Sequence, residues 1–145
     1  MKLTPYIAVN EAAKAIDFYC NAFGARETGA RFTEPGGKIG HAEVSFGDYA
    51  LMLSDEYPEF GAMSPTSLGG SPVLLHLYVD DVDATVAKAE SLGARVLRPA
   101  ADESHGDRAA TILDPFGHRW MISTTLEAVD KATLQERVGD TYRID

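Results

Sequence analysis

The amino-acid sequence predicts an α+β fold built from two tandem βαβββ modules, and three observations lead to that prediction. Two similar segments recur at a fixed spacing: Gly24 and Gly93 lie 69 residues apart, and Val9 and Val79 lie 70 apart. Each segment reads as a short strand, an amphipathic helix and three further strands. Apolar and polar residues alternate along the strands, as in sheets with one covered face. These patterns predict a cup-shaped, mixed, largely antiparallel sheet with helices on its outer face.

Module one is predicted to span residues 1–56. In its first strand, the apolar residues Ile7 and Val9 are expected to face the helix. Tyr6 alternates with them and is therefore expected to face the cup. Three strand-like runs follow the helix, at residues 27–33, 39–46 and 49–54.

Module two is predicted to span residues 73–125. In its first strand, Leu75 and Leu77 are expected to face the helix, which leaves His76 and Tyr78 on the cup face. A register error of one residue would exchange the two faces. Three strand-like runs follow here too, at residues 95–98, 108–113 and 118–124.

Both predicted helices have residues suited to their ends. Asn10 and Asp81 are expected to act as N-caps. Gly24 and Gly93 stand where a left-handed C-terminal cap is expected. The tight turn before the last strand of each module is expected at Gly47-Asp48 and at Asp114–Gly117.

Two segments lie outside the repeat. Residues 56–72 are rich in proline and glycine and are predicted to form a long loop, which acts either as a lid or as a plain linker. Residues 128–138 are predicted to form a short amphipathic helix that is capped by Asp130 and has a packing role. The 145 residues are thus predicted to form a single domain.

Composition excludes several classes of partner. Thirteen basic residues face 22 acidic ones, and the resulting net charge of −9 would repel a nucleic-acid backbone. No apolar run approaches the roughly 20 residues of a membrane span. Cys20 is the only cysteine, so no disulfide framework is expected and Cys20 is predicted to be a small buried apolar residue. The cytoplasm is the expected location.

Three stretches that cover nearly the whole chain carry a family resemblance. They are Ala15–Tyr19 with Phe23-Gly24-Ala25, residues 40–56, and residues 106–120 with Gly106-Asp107-Arg108 and Asp114-Pro115-Phe116-Gly117-His118-Arg119-Trp120. The sequence resembles the vicinal oxygen chelate superfamily, which includes glyoxalase I, bleomycin-resistance proteins and extradiol dioxygenases. The third stretch is most similar to its PhnB-like branch. The resemblance implies the paired-module fold, but such a scaffold hosts many chemistries.

The resemblance also implies a divalent metal in the cup, held by ligands from the first and last strand of each module. Counted from the repeat, the four equivalent positions are Thr4, Leu51, Leu74 and Met121. None of them offers a carboxylate or an imidazole, so no metal or other cofactor is expected. The alternative is a displaced metal site made of His41, Glu43 and His76, which all fall on the predicted cup face.

The predicted cup face combines aromatic surface with a few polar groups, as small-molecule pockets do. The residues expected to contact a ligand are Tyr6, His41, Glu43, His76, Tyr78, Arg108, Arg119 and Met121. Arg119 pairs either with an anionic ligand or with Glu43. Arg108 either contacts an anion at the cup rim or forms a structural salt bridge. Trp120 is expected in the core, Asp114 is expected to cap its turn, and His118 is expected at the surface.

The resemblance favours a PhnB-like protein that binds a small organic molecule in its cup without metal, as bleomycin-resistance proteins do by sequestration. The alternative function is that of a metal-dependent lyase, isomerase or dioxygenase with the displaced site. A third hypothesis is action through a dimer or a partner surface alone. Catalytic residues are not assigned, and a homodimer is expected by analogy with the superfamily.

Overall fold

The chain alternates strands and helices in the predicted order. The structure, a computed structural model, describes all 145 residues. Module one consists of β1 (Tyr6–Val9), α1 (Ala12–Phe23), β2 (Arg26–Thr33), β3 (Ile39–Phe46) and β4 (Tyr49–Asp55). A short helix, α2 (Pro65–Leu68), lies between the modules. Module two consists of β5 (Leu74–Tyr78), α3 (Val82–Ser91), β6 (Arg95–Asp102), β7 (Asp107–Leu113) and β8 (Arg119–Thr125), and α4 (Lys131–Val138) follows it.

Each module forms its own four-stranded sheet. The strand order is β1-β4-β3-β2 in the first sheet and β5-β8-β7-β6 in the second. The first and last strands of each module pair in parallel, and all other neighbours pair antiparallel. This topology confirms the predicted α+β class and the tandem βαβββ repeat. No strand of one sheet is hydrogen-bonded to a strand of the other, although the Phe46 ring of β3 lies 5.8 Å from the Trp120 ring of β8.

The helices and the inner faces of both sheets share one hydrophobic core. Ile7 and Val9 of β1 are buried in this core, and Trp120 and Ile122 of β8 belong to it as well. The expected helix-facing sides of β1 and β8 are therefore confirmed, as is the core position of Trp120. Helix α1 contacts α3, and the Tyr19 ring of α1 lies 5.4 Å from Trp120. The two modules are thus joined through their helix-covered sides rather than through their cup faces.

The N-terminus of α1 is capped by a residue of the neighbouring sheet. The prediction that Asn10 caps this helix is wrong, because the N-cap position is Glu11 and its side chain makes no capping hydrogen bond. Instead, Asp55 at the end of β4 accepts hydrogen bonds from the backbone N–H of Ala12 at 2.8 Å and of Ile39 at 2.7 Å. One carboxylate thereby ties α1 to two strands.

The predicted caps at Asp81, Asp130 and Gly24 are confirmed, whereas the C-cap position of α3 is Leu92, and Gly93 follows it with a φ of 103°. Asp81 accepts a hydrogen bond from the backbone N–H of Ala84 at the start of α3, and Asp130 does the same for Thr133 at the start of α4. Gly24 has a left-handed φ of 70° directly after α1. Helix α4 begins at Lys131, three residues later than the predicted start of 128. No helix in the protein is both long and apolar enough to span a bilayer.

Residues 56–72 form an ordered connection rather than a structureless loop. They contain a one-turn 3-10 helix at Pro58–Phe60 and helix α2, which contacts β1. The Thr66 hydroxyl donates a hydrogen bond to the carbonyl oxygen of Phe116, in the turn before β8. This segment therefore packs at the junction of the modules, beside the outer edge of β1.

His118 also lies at that junction. The prediction that it occupies the surface is wrong, since His118 is buried and its Nε2 donates a hydrogen bond to the carbonyl oxygen of Ala8 at 2.9 Å. A backbone hydrogen-bond acceptor of β1, the Ala8 carbonyl oxygen, is thus paired by a residue of module two. The outer edge of β5 makes no equivalent hydrogen bond.

Candidate functional site

Each sheet has one face that the helices do not cover, and these two faces carry most of the predicted site residues. The module-one face consists of Tyr6, Thr28, Phe32, His41, Glu43 and Met52. The module-two face includes Leu74, His76, Tyr78, Asp107, Thr111, Arg119, Met121 and Ser123. The alternation of side chains along strands places these residues opposite the core residues.

On the module-one face, an aromatic group surrounds His41. The Tyr6 hydroxyl lies 3.0 Å from His41 Nδ1, and the two rings are 5.6 Å apart. The Phe32 ring lies 5.6 Å from His41 on the other side. Beside them, the Thr28 hydroxyl donates a hydrogen bond to the Glu43 carboxylate at 3.3 Å. The imidazole is thus held by a hydroxyl and two rings.

On the module-two face, a stacked pair of rings is hydrogen-bonded to two buried polar side chains. The rings of His76 and Tyr78 are 4.5 Å apart and stacked. His76 Nε2 lies 2.8 Å from the hydroxyl of buried Ser123. The Tyr78 hydroxyl donates a hydrogen bond to buried Asp107 at 2.9 Å, and this bond raises the pKa of Tyr78. The Tyr78 hydroxyl proton is thus engaged by Asp107, and this bond holds the ring in place.

The two predicted arginines have different positions. Arg108 lies on the opposite side of β7 from Asp107, and its guanidinium binds Asp83 of α3 at 2.8 Å and Asp102 at 2.9 Å. These carboxylates raise the pKa of Arg108 further, so its charge is already matched. Of the two alternatives for Arg108, the structure favours the structural salt bridge over an anion contact in the cup.

Arg119 is exposed on the module-two face and makes no ion pair. Arg119 of β8 pairs in register with Leu74 of β5. Two residues further along both strands, Met121 pairs with His76. The alternative in which Arg119 pairs with Glu43 is not formed within the chain. Its guanidinium therefore remains free at one end of the stacked rings.

The two faces do not meet within one chain. No hydrogen bond, ion pair or ring contact joins a residue of the module-one face to one of the module-two face. Large side chains stay open to solvent on both, with exposed fractions of 53% for Tyr6, 63% for Phe32 and 57% for Tyr78. The predicted single cup is thus divided into two half-sites.

A cavity of about 1120 Å³ borders the open edge of β5. Its wall on the helix side is aromatic and comes from Phe23, Phe46 and Trp120. Its other wall includes Leu74, His76 and Tyr78, so the cavity adjoins the module-two face. Pro5, Tyr49 and Leu51 of module one also line this cavity, so the open edge of β5 is not filled within one chain.

Comparisons with known proteins agree with this architecture. The family model described as "Glyoxalase/Bleomycin resistance protein/Dioxygenase superfamily" matches residues 3–122. The chain belongs to this superfamily. An uncharacterized protein of Mycobacterium tuberculosis is 42% identical over 136 residues, which are 92% of this chain and 79% of that protein. A putative glyoxylase of Mycobacterium bovis is 35% identical over 77 residues, which are 52% of this chain and 30% of that protein.

Several solved structures share the fold. TioX from Micromonospora sp. ML1 has a TM-score of 0.67 with 24% identity, over 87% of this chain and 99% of that one. A glyoxalase/bleomycin resistance protein/dioxygenase family enzyme from Burkholderia phytofirmans has a TM-score of 0.68 with 20% identity, over 85% and 97% of the chains. A PhnB protein from Bacillus cereus has a TM-score of 0.65 with 18% identity, over 86% and 100% of the chains. At these identities the likeness concerns the fold alone.

The strand register corrects one of the four metal-ligand positions inferred from the superfamily. Leu51 is buried in the core, and its neighbour Met52 is the residue that pairs with Tyr6 on the cup side. The predicted position was one residue off because the two turns differ in length. Phe46 pairs directly with Tyr49 across the first turn, whereas Leu113 pairs with Arg119 across a longer one. Gly47 and Gly117 are therefore not equivalent.

The corrected positions still do not fit the superfamily's divalent metal. Thr4, Leu74 and the two methionines Met52 and Met121 offer no carboxylate or imidazole. The displaced set of His41, Glu43 and His76 does not come together within the chain, which contains no cluster of three or more potential ligands from His, Cys, Asp and Glu. Each of the three already has a hydroxyl partner.

Sequence reasoning missed six of the residues named on these faces: Thr28, Phe32, Met52, Asp107, Thr111 and Ser123. Ser123 and Met52 could have been predicted from strand alternation once the register was known, because they alternate with core residues. Asp107 was noticed only as a neighbour of Arg108, although the β7 alternation places the two side chains on opposite faces. Phe32 follows a register shift between β2 and β3, and such irregularities are not visible in the alternation pattern.

Proposed function

We propose that this chain is a PhnB-like, cytoplasmic protein that binds a small organic molecule as a homodimer. In this proposal each binding cup combines the module-one face of one copy with the module-two face of the other. The ligand lies between the ring group around His41 and the stacked rings of His76 and Tyr78. Binding does not require a divalent metal.

The separation of the two faces within one chain is the observation that carries this proposal. Tyr6, Phe32 and Tyr78 expose large ring surfaces to solvent, and a second copy is the simplest source of a cover for both faces. A twofold dimer would bring unlike faces together twice, and would thus form two equal cups. The open edge of β5 and the cavity beside it lie where such a partner would approach.

The composition of the faces favours a small ligand over a macromolecular one. Both faces combine exposed rings with a few fixed polar groups, which is the mixture that small-molecule pockets have. Ser123 and Asp107 hold His76 and Tyr78 in place from below. A preorganised ring platform lowers the entropic cost of ordering side chains when a ligand binds.

Ligand binding can be tested by a thermal-shift screen against aromatic and cationic compounds, oxo-acids and thiol conjugates. We expect at least one class to stabilise the wild type, and Tyr78→Ala to lose that stabilisation. Tyr142→Ala is the matched control, since it removes a tyrosine of similar exposure from the C-terminal segment. A ligand that stabilises the wild type and Tyr78→Ala to the same extent would contradict the assignment of the cup.

The alternative function, a metal-dependent lyase, isomerase or dioxygenase, predicts a different outcome of metal analysis. Protein purified without chelator should contain substoichiometric manganese, iron and zinc if the cup binds its ligand without metal. A stoichiometric metal that is lost in His76→Gln or His41→Gln would favour the alternative instead.

A further inference from the structure

We propose that the ligand is a planar aromatic anion, held by Arg119 at its charged end and by the His76–Tyr78 stack at its ring. This inference rests on the proposed function, because it specifies the ligand class of the same cup. It concerns the module-two face, where Arg119 lies in register beside the ring platform.

Arg119 stands out because most other arginines already have anionic partners. Arg31, Arg98, Arg108, Arg137 and Arg143 all form ion pairs with carboxylates. In a chain of net charge −9, acidic partners are abundant, yet none lies within ion-pair distance of Arg119. A free guanidinium on a ring-lined face offers a planar fork that matches a carboxylate, sulfonate or phosphate.

The strand register arranges the face in three rows. The first row is Leu74 and Arg119, the second is His76 and Met121, and the third is Tyr78 and Ser123. Successive rows on one face of a strand are about 6.6 Å apart. Tyr78, one row further along β5, stacks on one side of the His76 ring, so the row of Leu74 and Arg119 lies on the opposite side of that ring. A ligand ring that continues the stack would lie next to the guanidinium.

The charges on the face are divided between its two ends. Arg95 lies in the same row as Arg119, since both pair in register with Leu113. Asp107 lies at the other end, beneath Tyr78. An aromatic anion bound with its charge toward Arg119 is attracted at one end and kept away from the carboxylate at the other. A cation in the same place would be repelled by Arg119 and, from two strands away in the same row, by Arg95.

The test compares 2-naphthoate with the neutral 2-naphthamide, which has the same ring and nearly the same shape. Titrations are followed through the carbon-13 methyl signal of Met121, because an aromatic ring over the second row shifts that signal. We expect wild type to bind naphthoate more tightly than naphthamide. Arg119→Gln should weaken naphthoate binding by at least about tenfold and leave naphthamide binding unchanged. Lys88→Gln removes the same charge from the exposed side of α3 and is the control.

Two results would overturn the inference, and they are distinguishable. Equal binding of both probes by wild type, or naphthoate binding that Arg119→Gln does not weaken, would overturn the anionic ligand and leave the cup intact. The absence of any Met121 shift with millimolar concentrations of either probe would overturn the proposed cup together with the inference.

Discussion

At the scale of single residues, Asp114 is the main polar link between the modules. Its Oδ1 accepts hydrogen bonds from the backbone N–H of Phe116 and His118, which confirms the predicted turn cap. Its Oδ2 accepts hydrogen bonds from the Tyr19 hydroxyl at 2.7 Å and from Trp120 Nε1 at 2.9 Å. A buried carboxylate with four donors is fully satisfied, so its replacement leaves several donors without a partner.

Asp114→Asn should lower the free energy of unfolding by about 3 kcal/mol, because the amide group turns a donor toward Tyr19 and Trp120. Urea unfolding followed by circular dichroism measures this change. Asp48→Asn makes the same substitution at the exposed turn of module one and should stay within about 0.5 kcal/mol of wild type. Equal effects of the two substitutions would contradict the role of Asp114.

Because the Tyr19 hydroxyl is buried, we predict a loss of stability at alkaline pH. Burial raises the pKa of Tyr19 well above its ordinary value, and the Asp114 carboxylate raises it further. The pKa of Tyr19 is higher in the folded state than in the unfolded state. The stabilisation that the neutral Tyr19 hydroxyl provides is therefore complete below about pH 10 and is lost as pH rises. Each pH unit above that point should cost up to about 1.4 kcal/mol, and Tyr19→Phe should lack this component. Unfolding free energies measured at pH 8 and pH 11 compare the two proteins, and parallel losses would refute the prediction.

At the scale of elements, the turn before β7 depends on Gly106. Its φ is +97°, and its carbonyl oxygen accepts hydrogen bonds from the N–H groups of Leu126 and Glu127 after β8. A Cβ at this position would overlap the carbonyl oxygen of Glu127 and would lie 2.8 Å from Cγ2 of Val129. The turn therefore holds the end of β8 and the segment leading to α4 in close contact.

Gly106→Ala should lower the free energy of unfolding by about 2–4 kcal/mol, since it adds both backbone strain and a steric clash. Gly37→Ala is the control, because Gly37 has a φ of +90° but no atom within 4 Å of its added Cβ. That variant should lose only about 1 kcal/mol, which isolates the strain. Denaturant titration measures both, and indistinguishable losses would show that the close approach has no energetic weight.

The individual elements also show which structural features the sequence patterns could predict. Alternation and capping residues predicted β3 at residues 39–46 and the N-cap of α3 at Asp81, because both depend on neighbours in the sequence. The cap of α1 was missed because Asp55 lies 43 residues from Ala12. The register of β4 was off by one because the lengths of the two turns depend on strand pairing. Contacts across the modules, such as those of Asp114 and His118, have no local signal.

At the scale of the whole molecule, the repeat is retained, while the positions that the superfamily resemblance assigns to metal ligands are occupied by threonine, leucine and methionine. Module one contributes Tyr6, Phe32 and His41 as a ring group, and module two contributes the His76–Tyr78 stack with Arg119. The predicted site residues were thus found on the expected faces, with Arg108 as the exception. Their division between two faces that do not meet was not visible in the sequence, because it depends on how the modules pack through α1 and α3.

The sharing of each cup between two copies is the central claim, and mixing two defective variants tests it most directly. Tyr6→Ala damages the module-one face and Tyr78→Ala the module-two face, so neither homodimer should bind 2-naphthoate well. After subunit exchange, each heterodimer has one intact cup and one doubly damaged cup, and roughly a quarter of all cups should regain wild-type affinity. Calorimetric titration of the mixture with 2-naphthoate measures the fraction of cups that bind with wild-type affinity. A mixture that binds no better than its two components would contradict the account, because cups formed within one chain cannot be restored by exchange.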